Sequence, residues 1–135
     1  MRFRPRLNTF SRVAIVAAAI ISAITIASAQ QAGLSGTWSG GGTMVLRSGN
    51  AEKVRCRATF TQSGNGASMM ATCANATARI VQTADLTRVS ASRYIGDFTN
   101  AEYGISGSIR ITLSGNSLSA ALSGGGGSAS ISLSR

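Results

Sequence analysis

The sequence has 135 residues, with thirteen basic and four acidic side chains, two cysteines and no histidine. That length suits one modest domain, and the missing histidine removes the commonest general base and any Ser-His catalytic pair. Two cysteines fall short of the four ligands that a structural zinc site draws from Cys, His and carboxylates.

The N-terminal residues stand apart. Arg2, Arg4, Arg6 and Arg12 have no acidic neighbour, residues 13–27 are apolar except for Ser22 and Thr25, and Ala27-Ser28-Ala29 closes the run. A basic region, a short apolar region and a small-x-small end are the parts of a secretory signal. Residues 1–29 are therefore expected to be a signal-peptide helix that is cleaved, leaving 30–135 as a single domain. The rival, an uncleaved membrane anchor, needs roughly 20 apolar residues to cross a bilayer, and this run is shorter. No cysteine lies directly after it, which excludes lipid attachment at a new N-terminal Cys. Four of the thirteen basic residues leave with the signal, so nine face four acidic ones in the mature part. The expected location is periplasmic or secreted, with no stable membrane span after cleavage.

From residue 36 onward the pattern is alternation, without apolar residues at three- and four-residue spacing. Strand candidates follow in order at 36–46, 54–60, 69–73, 78–86, 93–98, 103–113, 118–122 and 129–133. The clearest is the sixth, where Tyr103, Ile105, Gly107, Ile109, Ile111 and Leu113 form one dry face. Eight strands separated by turn residues predict an all-β domain, either a small antiparallel barrel or a tightly packed sandwich. Ser-Gly-Asn occurs at 48–50, 63–65 and 114–116, each time between two candidates, and Gly and Asn tolerate the positive φ that tight hairpins need.

One hairpin can be tested against the cysteines. With Gly64-Asn65 as a two-residue turn, Phe60 faces Met69, Ala58 faces Ala71 and Cys56 faces Cys73, on the dry side and within disulfide reach. Export places the pair where a disulfide persists. Likewise a Gly115-Asn116 turn sets Leu113 against Leu118 and Ile111 against Ala120. A loop at 99–102 pairs Phe98 with Tyr103, Gly96 with Ile105 and Tyr94 with Gly107. The hairpin around Gly49-Asn50 requires a one-residue bulge to keep Trp38, Met44 and Leu46 on the face of Val54. The inward set, with Trp38, Phe60, Tyr94, Phe98 and Tyr103 among many Gly and Ala, is short of volume for crystal-like packing. Either two sheets lie close together or a barrel encloses a space, and these five aromatics are the candidate barrel-end or ligand-facing residues.

Catalytic equipment is sparse. Glu52, Asp85, Asp97 and Glu102 are the only carboxylates. Asp97 and Glu102 flank a proposed turn and could form an acid pair, although two solvated charges are expected. No catalytic, cofactor-binding or metal-binding residue is assigned, no cofactor is expected, and an enzyme is not expected. The glycine runs at 40–42 and 124–127 lack the Gly-Lys-Ser/Thr of a phosphate-binding loop. The first is expected to mark a bend or close strand packing, the second a flexible connection. Arg47, Lys53, Arg55 and Arg57 gather in the first two strands, Arg55 and Arg57 facing outward, as a candidate basic patch. After export it would meet anionic envelope polymer or lipid head groups sooner than nucleic acid. A charged face that only confers solubility is the plainer alternative.

Leu34-Ser35-Gly36-Thr37-Trp38 contains a Gly-x-Trp that resembles the first-strand motif of lipocalins and other calycin barrels, which implies a tryptophan closing one barrel end. A helix beside the barrel and an arginine over that tryptophan are not identifiable. The mature size, single disulfide and Ser-Gly-x-Trp start also resemble periplasmic inhibitors of secreted metalloproteases. Across nearly the whole mature chain, Gly36-Thr37-Trp38-Ser39-Gly40-Gly41-Gly42-Thr43, Val54-Arg55-Cys56-Arg57-Ala58, Ala71-Thr72-Cys73-Ala74, Asn100-Ala101-Glu102-Tyr103 and Ser106-Gly107-Ser108-Ile109 resemble small exported alphaproteobacterial proteins of unknown function. That likeness implies compartment and fold, without an activity. The expected protein is an exported, non-enzymatic barrel binding a small apolar ligand or an envelope component. The alternatives are a protein-binding module acting through residues 30–35, such as a protease inhibitor, and a basic protein adhering to anionic polymer.

Overall fold

The structure, a computed structural model, describes residues 33–135 together with Arg2, Phe3 and Ile20. Apart from those three residues, the expected signal-peptide helix lies outside the described residues. Eight strands follow one another: β1 (Gly36–Leu46), β2 (Ala51–Ser63), β3 (Gly66–Ala74), β4 (Arg79–Ser90), β5 (Arg93–Asn100), β6 (Ile105–Ser114), β7 (Ser117–Gly124) and β8 (Gly127–Ser134). Each pairs antiparallel with the next and β8 returns to β1, so the sheet closes into a barrel. Of the two architectures expected, the barrel is the one formed.

Alternation accounts for the two faces. In β2, Val54, Cys56, Ala58 and Phe60 are buried, while Lys53, Arg55, Arg57 and Thr59 between them are exposed. The other strands repeat this, and each large side chain taken from water contributes roughly 1.5–3 kcal/mol. The outer faces carry mostly Ser, Thr and Arg around an apolar interior. That is the reverse of the apolar-out pattern of a transmembrane barrel. Among the described residues no helix is long and apolar enough to cross a membrane.

The β2–β3 hairpin has the expected register. Ser63 pairs with Gly66, and Cys56 and Cys73 are directly opposed, disulfide-bonded, with Cα atoms 4.1 Å apart. Gly64 takes φ +59° while Asn65 stays at negative φ, the pattern of a II′ turn with glycine leading. The β6–β7 hairpin is built the same way, with Leu113 opposite Leu118. A disulfide-bonded barrel fits an extracellular or periplasmic compartment.

The β1–β2 ladder runs without a shift from Gly36–Phe60 to Val45–Ala51. The expected one-residue bulge is present within the turn, at Gly49 (φ +90°): Gly49 N–H donates to the Leu46 carbonyl at 2.8 Å and Leu46 N–H to that of Asn50 at 2.9 Å, which keeps Trp38 and Met44 in phase with Val54. Several local expectations are corrected. The β5–β6 turn spans Ala101–Gly104, so Asn100 pairs with Ile105, Phe98 with Gly107 and Tyr94 with Ile111. Asn100 continues β5 because its side chain is buried and caps the turn, Oδ1 accepting from Tyr103 N–H at 3.2 Å. Gly104 ends the turn at φ +64°. Tyr103 is thereby moved out of the strand and is 54% exposed, not inward. Asp97 lies opposite Asp85 on β4 through the β4–β5 register and not beside Glu102, which is in the turn. The second glycine run is a two-residue connection in which Gly124 pairs with Gly127.

Closure depends on the first glycine run. Gly40 pairs with Cys56, level with the disulfide, and with Leu133 near the opposite end, so the strands run obliquely round the barrel. A Cβ on Gly40 or Gly42 would strike the carbonyl oxygen of Ser132 or Ser130. Bending β1 that closely against β8 requires glycine.

Candidate functional site

The two ends of the barrel are built differently. Where β1 begins, the end is sealed by Leu34 and Trp38, both fully buried. Trp38 Nε1 donates to the Leu34 carbonyl at 2.9 Å. Leu34 N–H donates to Gln62 Oε1 at 3.2 Å, and Gln62 N–H to Ser35 Oγ at 2.9 Å. Arg135 lays its guanidinium over the indole, 4.3 Å from the ring centroid, and donates from Nη1 to the Ser35 carbonyl at 2.7 Å. The arginine that the sequence pattern does not reveal is thus supplied by the far end of the chain. Tyr94, 1% exposed, belongs to the packing beneath this seal.

The opposite end is open. Its mouth holds a cavity of about 300 Å³, walled by Met44, Leu46, Ile80, Phe98, Ile105 and Leu122. A smaller void of about 40 Å³ lies further in, bordered by Phe60, Met69 and the disulfide, and shares Met44, Ile80, Gln82, Leu122 and Ala129 with the mouth. Size and apolar walls match a small-molecule pocket. The walls recede here because small residues replace large ones: Ala78, Gly124, Gly126, Gly127 and Ala129 line this end.

A few polar groups enter the cavity, each fixed by a strand or turn. Glu52, half-buried near the start of β2, accepts from Asn75 Nδ2 at 2.8 Å on Oε2. Asn75 is itself held by a local turn, its Oδ1 accepting from Thr77 N–H at 2.9 Å and Ala78 N–H at 2.7 Å. Gln82 and Asn100 each lie one residue beyond the Thr83–Thr99 pair, so their amides share the inner face of β4 and β5. Gln82 makes no hydrogen bond with the described side chains, and no buried polar atom is left unsatisfied. Its amide therefore reaches the open space of the cavity. The result is an apolar chamber with one carboxylate and the Gln82 amide available to orient a guest, while the buried Asn100 amide lines the wall and caps its turn.

Of the five aromatics singled out by sequence, Phe98 and Tyr103 line the mouth, Tyr103 at its exposed rim, and Phe60 borders the inner void. Trp38 and Tyr94 belong to the sealed end and touch neither space. Glu52, Asn75, Gln82 and Asn100 were not anticipated. The available signal was their phase: Glu52 sits two before Val54, and Gln82 falls between Ile80 and Ala84, so alternation directs both inward. The basic candidates also separate. Lys53, Arg55 and Arg57 share the outer face of β2, whereas Arg47 lies in the β1–β2 turn, its guanidinium 3.7 Å from the position a Cβ of Gly125 would occupy. Among the described residues no group of three His, Cys, Asp or Glu is placed to hold a metal.

The barrel belongs to a class seen in solved structures. A redesigned beta barrel, mFAP1, bound to DFHBI, superposes with a TM-score of 0.63 at 19% identity, covering 76% of this chain and 94% of that one. A second redesigned beta barrel gives 0.61 at 18% identity, covering 76% and 90%. These likenesses show the fold. No protein-family model and no curated protein matches the chain.

Proposed function

We propose that this chain is an exported, non-enzymatic barrel that holds a small molecule with an apolar body in the mouth cavity. The observation that carries this reading is the cavity itself: about 300 Å³ of apolar space into which Gln82 and Glu52 bring polar groups. A packing defect would have no need of the inward Gln82 amide, which costs free energy unless it finds a partner. A barrel of related backbone, mFAP1, is bound to DFHBI, which supports the capacity of such an interior to take a guest. The N-terminal sequence pattern and the disulfide support export, and the sparse carboxylates without histidine support a binding role over catalysis.

The inhibitor-like alternative has less support, because Leu34 and Ser35 are engaged in sealing the barrel and are not free to enter a partner. Native mass spectrometry of protein taken from its own producing cell tests the proposal. A small-molecule adduct that is lost on collisional heating is the expected result; bare protein under the gentlest conditions overturns it.

A further inference from the structure

Outside the barrel, the face of β1–β4 carries a second feature. Arg55 on β2 is opposite Ala74 on β3, which is opposite Arg79 on β4; one step along, Arg57 is opposite Thr72 and Thr72 opposite Val81. Toward β1, Arg55 meets Gly41 and Arg57 meets Ser39. The arginines therefore stand above small neighbours, and between them lies a recess of about 420 Å³ lined by Ser39, Arg55, Arg57, Thr59, Thr72 and Arg79. Strand geometry sets Arg55 and Arg57 roughly 7 Å apart along the chain and Arg55 and Arg79 roughly 10 Å apart across two strand spacings. None of the three guanidiniums is hydrogen-bonded to a described side chain. The only carboxylate on the outer face of these strands is Asp85, three outward positions along β4 from Arg79. Glu52 points inward to Asn75.

We infer that this face is a binding site, distinct from the cavity, for an anionic glycan bearing closely spaced sulfate or phosphate groups. A recess with guanidinium walls and Thr and Ser hydroxyls can surround a discrete oxyanion, which guanidinium forks bind well. Nucleic acid gains much of its hold on single-stranded sites by stacking on aromatic rings, and the outward positions of β1–β4 contain none. Relative to the patch expected from sequence, Arg79 joins, while Arg47 and Lys53 do not line the recess.

The test is fluorescence anisotropy of a labelled heparin oligosaccharide with the mature protein. An Arg55→Gln, Arg57→Gln, Arg79→Gln variant should bind roughly tenfold more weakly, since each exposed charge pair contributes less than a tenfold factor. An Arg47→Gln, Arg93→Gln, Arg110→Gln variant, equal in net charge, should stay within about twofold of the parent. Circular dichroism and thermal melting of both variants establish that the barrel is intact. Equal losses in the two variants would show generic attraction and overturn the inference. So would tighter binding to single-stranded DNA, or to vesicles with anionic head groups, than to heparin.

Discussion

Filling the mouth cavity separates a binding chamber from a packing flaw. Ala129 on β8 is opposite Met44 on β1 and Leu122 on β7, and it borders both the 300 Å³ mouth and the 40 Å³ inner void. Replacing it with phenylalanine puts a ring into existing space at the throat between them. Full burial of such a ring contributes roughly 1.5–3 kcal/mol, but this mouth is open to water and the ring would be only partly covered. A net gain of about 1 kcal/mol follows, which in a domain of this size raises Tm by about 4–8 °C. Overpacking of a filled core would instead cost roughly 1–3 kcal/mol. The assay pairs thermal melting with titration of N-phenyl-1-naphthylamine, a neutral apolar dye that brightens away from water. Ala129→Phe should melt higher than the parent and lose most dye enhancement. A variant that melts lower, or that binds dye as the parent does, would refute the geometry of the chamber.

The sealed end makes its own prediction: Arg135→Ala removes both the guanidinium over Trp38 and the bond to Ser35, costing about 1 kcal/mol in urea denaturation followed through the single tryptophan. An unchanged midpoint would mean that the stack contributes nothing. Reduction of Cys56–Cys73, whose sequence separation is 17, should lower stability by about 3 kcal/mol on the chain-entropy account, read as the difference in urea midpoint with and without dithiothreitol. Gly42→Ala should destabilise by more than the roughly 1 kcal/mol that glycine itself ordinarily costs in a strand, because the new Cβ strikes the Ser130 carbonyl. Gly66→Ala, with its nearest neighbour at 3.5 Å, should be neutral or slightly stabilising in the same melting experiment.

What the sequence disclosed followed from short-range rules. A two-residue turn, alternation and one cysteine pair fix the register of β2 and β3, because a slip of one residue would turn every side chain to the wrong face. The β5–β6 hairpin resisted the same treatment. Its turn could be displaced by two residues without breaking alternation, and the choice was made by Asn100, whose buried amide caps Ala101–Gly104. The site was legible only in part, since Gln82 and Asn100 come together through the β4–β5 pairing, in which the register shifts between Arg88 and Ser90. Arg135 over Trp38 is a contact between the two ends of a closed meander, and no local pattern announces it.

The cavity and the seal are two consequences of one uneven distribution of volume. A barrel whose strands run obliquely must fill a roughly cylindrical interior at every level, and small residues can do so only if backbones move inward. At the sealed end Trp38, Phe60, Tyr94, Leu113, Leu118 and Leu133 fill the section. At the mouth the glycines are spent differently: Gly124 and Gly127 make the tight β7–β8 connection, and a Cβ on Gly107 would strike the Ser123 carbonyl. Backbone thus comes close along this part of the wall while no side chain projects from the glycines, so the centre stays open between the larger Met44, Ile80, Phe98 and Leu122. Substituting an aliphatic residue at Ala129, within β8, would fill that centre without touching a turn or a kink. The chamber therefore comes from small side chains at positions free to be large, and closure of the barrel does not require it.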